Sequence, residues 1–194
     1  MCGRYLIDDK DYEFREIITE AVRNSGNMDV KTGEIFPTDK VPVLFHDGSY
    51  TKPYVMGWGF PNIYKSGVII NARAESALEK RMFKDSLLSR RCVIPASGFF
   101  EWEKKGSAKN KYLFTLPGSN MIYLAGFYNG YIIGGMPVNR FVILTTAANR
   151  SISDIHDRMP LILLKNEVRD WITNRDFALS FLSSIPPDLD RSLV

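Results

Sequence analysis

Between Cys92 and Thr146 the chain passes through one apolar run after another, each closed by turn residues. "CVIPASGFFEWEK" reads as strand, turn and strand, and "KYLFTL", "MIYLAGFYNG" and "RFVILTT" follow, bounded by Gly, Pro or Asn. Short runs of this kind between breakers are strands, and several in succession must pair into a sheet. "VPVLF" and "SYTKPYVMGW" flank "HDG" as a hairpin, "GVIINARAES" is a strand entering a polar helix start near Glu75 and Ser76, and "PLILL" adds a further strand. Helical periodicity is confined to the margins. "DYEFREIITEAVRNSG" puts Phe14, Ile17, Ile18, Ala21 and Val22 on one face and ends at Gly26, and shorter helical pieces surround "NEVRDWI" and "FALSFL". The fold class that holds both is α+β, a single compact β-rich domain over residues 1–194 with a mixed or barrel-like sheet and peripheral helices. A chain of 194 residues can bury one such core. No repeat or linker divides it, and residues 185–194, within "SSIPPDLDRSLV", read as a loose tail.

Charge matters only once it is mapped. Residues 71–112 hold 10 lysines and arginines against 5 acids, whereas residues 1–70 hold 8 against 10 and residues 113–194 balance at 7 each. The basic stretch also carries Phe83, Phe99, Phe100 and Trp102. Cations interleaved with rings suit single-stranded nucleic acid, with phosphates on the cations and bases on the rings; the same pattern also describes a solvated charged face over an aromatic core. Two cysteines cannot build a disulfide framework, and Cys2, Cys92, His46 and His156 lack the close spacing of a structural zinc site, so no metal is expected. GxGxxG, P-loop and GxSxG motifs are absent, and no cofactor is expected. Asp8 and Asp9 interrupt any apolar leader and no apolar run approaches a membrane span, so the expectation is a reduced, cytoplasmic monomer without membrane contact.

The opening "MCGRY" places Cys2 directly behind Met1. If Met1 is removed, Cys2 presents an α-amine and a thiol on adjacent carbons, with ordinary pKa values of roughly 7.7–8 and about 8.5. An aldehyde meeting that pair forms an imine that the sulfur closes into a five-membered ring; a lone cysteine is equally compatible with an inert one. Alternation through "GFFEWEK" sets Phe99, Glu101 and Glu103 on one face and Phe100 and Trp102 on the other. Glu101 is then either a carboxylate beside apolar groups, suited to proton donation, or an edge-strand acid in water. Asn71 ends the apolar strand "GVIIN", where it caps a turn or faces a site. His156, in "DIHDRMP", is either a general acid–base or a surface histidine.

Four separated stretches stand in register with one family: "MCGRY", "NARAES" at 71–76, "RRCVIPASGFFEW" at 90–102 and "TTAANRSISDIHDRMPLIL" at 145–163. On these motifs the chain resembles the SRAP (SOS response-associated peptidase) proteins over nearly its whole length. The resemblance implies a β-rich α+β domain with a positively charged groove. It also implies covalent capture of abasic sites in single-stranded DNA through a thiazolidine with the N-terminal cysteine, shielding the lesion. A thiol autopeptidase activity is attributed to the family as well, and a non-catalytic single-stranded DNA-binding module is a further alternative. By motif, Cys2 would be the nucleophile, Asn71 would orient it, Glu101 would donate the proton that opens the abasic sugar, and His156 would shuttle protons during imine formation. Arg4, Arg73, Arg81 and Arg158 match phosphate-holding positions, and Trp58 and Trp102 match aromatics lining the groove. The chain departs from the pattern at Gly57, where the family often has arginine before Trp-Gly, and at Ser97 and Phe100, where Asp and Tyr are common.

Overall fold

A computed structural model describes residues 2–63, 65–105 and 108–194. Strand β1 (Arg4–Ile7) is followed by helix α1 (Tyr12–Asn24), β2 (Gly33–Ile35), β3 (Lys40–His46) and β4 (Thr51–Trp58). A small pair, β5 (Phe60–Pro61) and β6 (Val68–Ile69), leads to β7 (Asn71–Arg73), a 3-10 turn over Ala74–Ser76 and helix α2 (Arg81–Ser89). The strand-rich middle comprises β8 (Arg91–Ala96), β9 (Gly98–Lys105), β10 (Ala108–Thr115), β11 (Ile122–Ile133) and β12 (Met136–Ala147). It ends with β13 (Arg158–Pro160), β14 (Ile162–Leu163), helices α3 (Val168–Thr173) and α4 (Arg175–Phe181), and β15 (Asp190–Leu193).

Two sheets carry the architecture. In the larger, β12, β4, β3, β8 and β11 pair in turn and β11 returns to β12, closing a five-stranded barrel. β12 is the hub. It runs parallel to β4 and then to β7, and antiparallel to β11 and then to β13. The smaller sheet has the order β15-β10-β9-β1-β2, and its inner face supplies Tyr5, Ile7, Ile35, Phe99 and Phe114 to the core, all fully buried. Burying one such side chain contributes roughly 1.5–3 kcal/mol. This is the mixed, barrel-like β-rich arrangement with helices at its margins that the strand pattern implies.

Helix α1 forms as its 3.6-residue pattern requires. Asp11 caps it by accepting the Phe14 N–H, and Phe14 and Ala21 are buried. The C-terminal ends of α2 and α3 meet Arg91, whose guanidinium donates to the carbonyls of Leu87, Leu88, Trp171 and Ile172. Those carbonyls lack intrahelical partners, so one buried cation satisfies two helix ends. Part of the basic middle stretch is therefore structural.

The C-terminal segment corrects the expectation of a loose tail. β15 pairs antiparallel with β10 from Tyr112–Leu193 to Thr115–Asp190, and Arg191 forms an ion pair with Asp154. An unpaired edge of β10 is the physical reason: its free N–H and C=O groups accept four more residues as a strand. Among the described residues no helix is long and apolar enough to cross a membrane.

Candidate active site

The chain enters β1 from Cys2, and β1 pairs with β9 so that Arg4 opposes Phe100 and Tyr5 opposes Phe99. That register brings Glu101, the next residue of β9, to the end of β1 where Cys2 lies. Cys2 is fully buried and Glu101 is only 4% exposed, so the reading of Glu101 as an acid standing in water is excluded. Asn71 arrives from the other sheet. β7 holds it opposite Ile143 of β12, and its Nδ2 donates to the Cys2 carbonyl at 2.8 Å. The Asn71 Oδ1 is buried without a hydrogen-bond partner among the described residues, an acceptor available to an incoming N–H or O–H. Cys2, just ahead of β1, thus meets Asn71 of β7 and Glu101 of β9 between the two sheets.

The electrostatics of this cluster favour a neutral sulfur. Burial, and then the nearby charge of Glu101, push the Cys2 thiol well above its usual range, and the S–H donates to the Arg4 carbonyl at 3.6 Å. Unfolding returns the thiol to about 8.5. The stability linked to the protonated thiol is therefore complete below that pH and declines as pH rises toward the folded-state value. Cys92, buried in β8, is raised in the same direction by burial alone. Iodoacetamide at pH 8 should label Cys2 in the native protein at least about tenfold more slowly than in the urea-unfolded chain, since one unit of pKa already gives that factor. Peptide mapping after timed quenching reads this; equal rates would mean that the thiol is neither buried nor neutral.

His156 lies on the segment entering β13, on the side of β12 away from β7: Thr145 pairs with Arg73 on one edge and Pro160 on the other. Its Nδ1 accepts the Arg158 N–H at 3.0 Å, which leaves the ring proton of the neutral form on Nε2. Asp157 Oδ1 is 2.9 Å from the same Nδ1 and pairs with it only when the ring is protonated.

The positions expected to meet DNA divide. Arg73 and Arg81 are exposed, and Arg4 and Trp102 are partly so. Arg4 stacks its guanidinium 3.9 Å over the ring of Phe36 and is 3.7 Å from Glu34. Lys111, which also pairs with Glu34, sits over Phe100 and within 5.8 Å of the Trp102 ring. Glu34, Phe36 and Lys111 are members of this surface that sequence reasoning missed; their partners lie far away in the chain, and only the pairing of β2, β1, β9 and β10 assembles them. Arg158 donates to both carboxylate oxygens of Glu75 and to the Thr145 carbonyl, and its Nε is buried with no hydrogen-bond partner among the described residues. Trp58 needs correction. It is fully buried, edge-on to Tyr5 at 5.1 Å and stacked on Phe141, with its indole N–H donated to the Ile70 carbonyl. A tryptophan on a strand shared by barrel and core has no groove to line. Tyr5 was not singled out by sequence either: its hydroxyl is buried with no partner among the described residues. Burial raises its pKa well above the usual value, with the charge of Asp39 adding to it.

The chain matches the family model for SOS response associated peptidase (SRAP) over residues 1–188. It is 33% identical over 207 residues to the abasic site processing protein YoqW of Bacillus subtilis (strain 168), covering 98% of this chain and 89% of that protein. To the abasic site processing protein YedK of Escherichia coli (strain K12) it is 28% identical over 176 residues, covering 89% of this chain and 79% of that one. A solved structure from Bordetella bronchiseptica shares the fold, with a TM-score of 0.80 at 20% identity over 100% of this chain and 99% of the other. With a family match running through β1, β7, β9 and β13 alike, this chain belongs to the SRAP family.

Proposed function

We propose that this protein captures abasic sites in single-stranded DNA as a covalent adduct on Cys2. The observation that carries the reading is the convergence of Cys2, Asn71 and Glu101 in one buried cluster, in a family whose relatives YoqW and YedK are named abasic site processing proteins. The abasic sugar is mostly a closed hemiacetal. Glu101 gives a proton to the ring oxygen as the bond to the anomeric carbon breaks, and its carboxylate takes up the proton of the anomeric hydroxyl, leaving an aldehyde. The α-amine of Cys2, freed of Met1, adds to that carbon, and loss of one water gives an imine, with His156 moving protons in this step. The sulfur then adds to the imine carbon and the thiol proton passes to the nitrogen, closing a thiazolidine. Aldehyde and aminothiol become thiazolidine plus water, with no oxidant or reductant. A thiol held neutral until that last step suits an amine-first order. Asn71 fixes the Cys2 backbone, and Arg4, Arg73, Arg81 and Trp102 supply phosphate and base contacts around the lesion.

A thiol peptidase reading draws on the family description, but it needs a thiolate at neutral pH, and the Cys2 environment opposes one. The protein acts as a monomer in the cytoplasm in this account.

Incubation with an abasic single strand, followed by a denaturing gel, tests the reading. A shifted band that survives denaturation is expected. Tight binding with no such band would instead leave a non-catalytic DNA-binding module. Glu101→Gln keeps size and polarity but not the acid, so it should slow capture of the closed sugar by about 100-fold, the low end for a lost general acid, and capture of a simple open aldehyde far less. Equal slowing of both would make Glu101 a positioning residue.

A further inference from the structure

On the barrel, away from the Cys2 cluster, four strands contribute to one row. Lys40 of β3 pairs with Gly57 of β4, Gly57 with Arg140 of β12, and Arg140 with Asn129 of β11. Side chains in one row of a sheet point to the same face, and neighbouring strands lie about 4.8 Å apart. Lys40 and Arg140 therefore stand on either side of a position that has no side chain. The Arg140 side chain leans into that gap: a Cβ on Gly57 would come within 3.1 Å of its Cδ and 3.2 Å of its Cζ and Nε. The row opens into a cavity of about 440 Å³, lined also by Thr38, Tyr54, Tyr131 and Asn139. Ile143, the partner of Asn71, lies three residues along β12 from Arg140, so the two side chains project to opposite faces roughly 10 Å apart along the strand. The cavity is distinct from the candidate active site.

Its chemistry is one-sided. None of the residues lining the cavity is acidic, and two are cations. The Arg140 Nη1 is buried with no hydrogen-bond partner among the described residues. A buried guanidinium N–H left unmade is costly, and an anion held by this guanidinium would offset that cost. Tyr131, two residues along β11 from Asn129 and so on the same face as Arg140, provides ring surface and is braced edge-on by Phe60 at 5.4 Å. Thr38, on the rim, holds a left-handed backbone at φ 80°, which a β-branched residue keeps only where its surroundings enforce it. Its N–H donates to the Trp58 carbonyl at 2.9 Å, and the next residue's carbonyl accepts the Trp58 N–H.

We propose that this cavity binds a nucleotide, with the phosphate between Arg140 and Lys40 over Gly57 and the base against Tyr131. The size fits, since small-molecule sites run from roughly 300 to 1,000 Å³. Aromatic rings beside fixed cations are the elements that hold a base and its phosphate. Choosing a nucleotide over other aromatic phosphate esters rests on the reading of this chain as a DNA-processing protein. The nucleotide is either free in solution or part of the strand captured at Cys2, and the chemistry is shared.

The experiment titrates deoxyadenosine monophosphate and inorganic phosphate into the whole protein by calorimetry, for the wild type, Arg140→Gln, Lys40→Gln and Gly57→Ala. The mononucleotide should bind more tightly than phosphate. Each glutamine variant should lose about tenfold in affinity, the scale of one charge-assisted hydrogen bond. Gly57→Ala keeps both charges but makes the Arg140 side chain give way by a few tenths of an ångström over this position, and should lose affinity too, by less than the glutamine variants. If the free mononucleotide fails to bind, but Arg140→Gln and Gly57→Ala weaken binding of a 20-nucleotide strand and not of a trinucleotide, the strand itself is the occupant. No dependence of either ligand on Arg140 would overturn the proposal, as would a loss in Arg140→Gln that Gly57→Ala does not share, which would reduce the effect to bulk charge. Adduct formation on Cys2 with a short abasic strand should be unchanged in all three variants and shows that they are folded. If that adduct fails in the wild type as well, the capture reading falls while the mononucleotide titration still decides this site.

Discussion

Cys2→Ala is expected to abolish the denaturation-stable adduct with abasic single-stranded DNA while changing affinity for the strand by less than about threefold, well under the tenfold that 1.4 kcal/mol represents. The substitution deletes one sulfur atom from a fully buried position. A void of that size costs about 1 kcal/mol, which a domain of this size tolerates. The bond from Asn71 goes to the Cys2 carbonyl, a backbone group, and survives. Arg73 and Arg81 remain exposed, and Arg4 remains stacked on Phe36. What the variant lacks is the atom that closes the ring. Its α-amine still forms an imine, and an imine without an internal sulfur either hydrolyses or directs strand cleavage. The gel should therefore show free or cleaved DNA in place of the shifted band, with binding read separately by fluorescence anisotropy. A heat-stable adduct from Cys2→Ala would contradict the thiazolidine.

Local patterns made much of this fold legible. The spacing of Phe14, Ile17, Ile18 and Ala21 specifies α1 because a helix repeats every 3.6 residues, and the structure caps it at Asp11. Alternation through "GFFEWEK" placed Glu101 on the same face as Phe99, and that face proved to be the one turned to the core. Alternation alone does not say which of two faces is buried; the partner sheet does. The polar helix start near Glu75 and Ser76 is a single 3-10 turn, and the α-helix begins five residues later at Arg81, with Phe83 and Leu87 buried one turn apart. Barrel closure could not be read. The parallel pairing of β12 with β4 and β7 joins residues more than 70 positions apart, and nothing local encodes it. The same holds for Arg140 over Gly57 and for Asn71 on Cys2. Trp58 failed as a groove residue because an aromatic ring suits a core as well as a nucleic acid surface, and its neighbours Tyr5 and Phe141 are supplied by other strands.

The most direct test uses the state of the N-terminus. Protein that keeps Met1, or carries an uncleaved tag ahead of Cys2, retains the thiol, Glu101, His156 and the exposed arginines. It loses only the free amine, because that nitrogen becomes an amide whose lone pair is delocalised into the carbonyl. An amide forms no imine, and a thiol alone gives a reversible hemithioacetal that denaturation disperses. Blocked and unblocked protein, each verified by intact mass, are incubated with the same abasic strand and resolved on one denaturing gel. The account predicts strand binding by both forms, a stable adduct from the unblocked form only, and its recovery when a protease exposes Cys2. A full yield of stable adduct from the blocked form would contradict it.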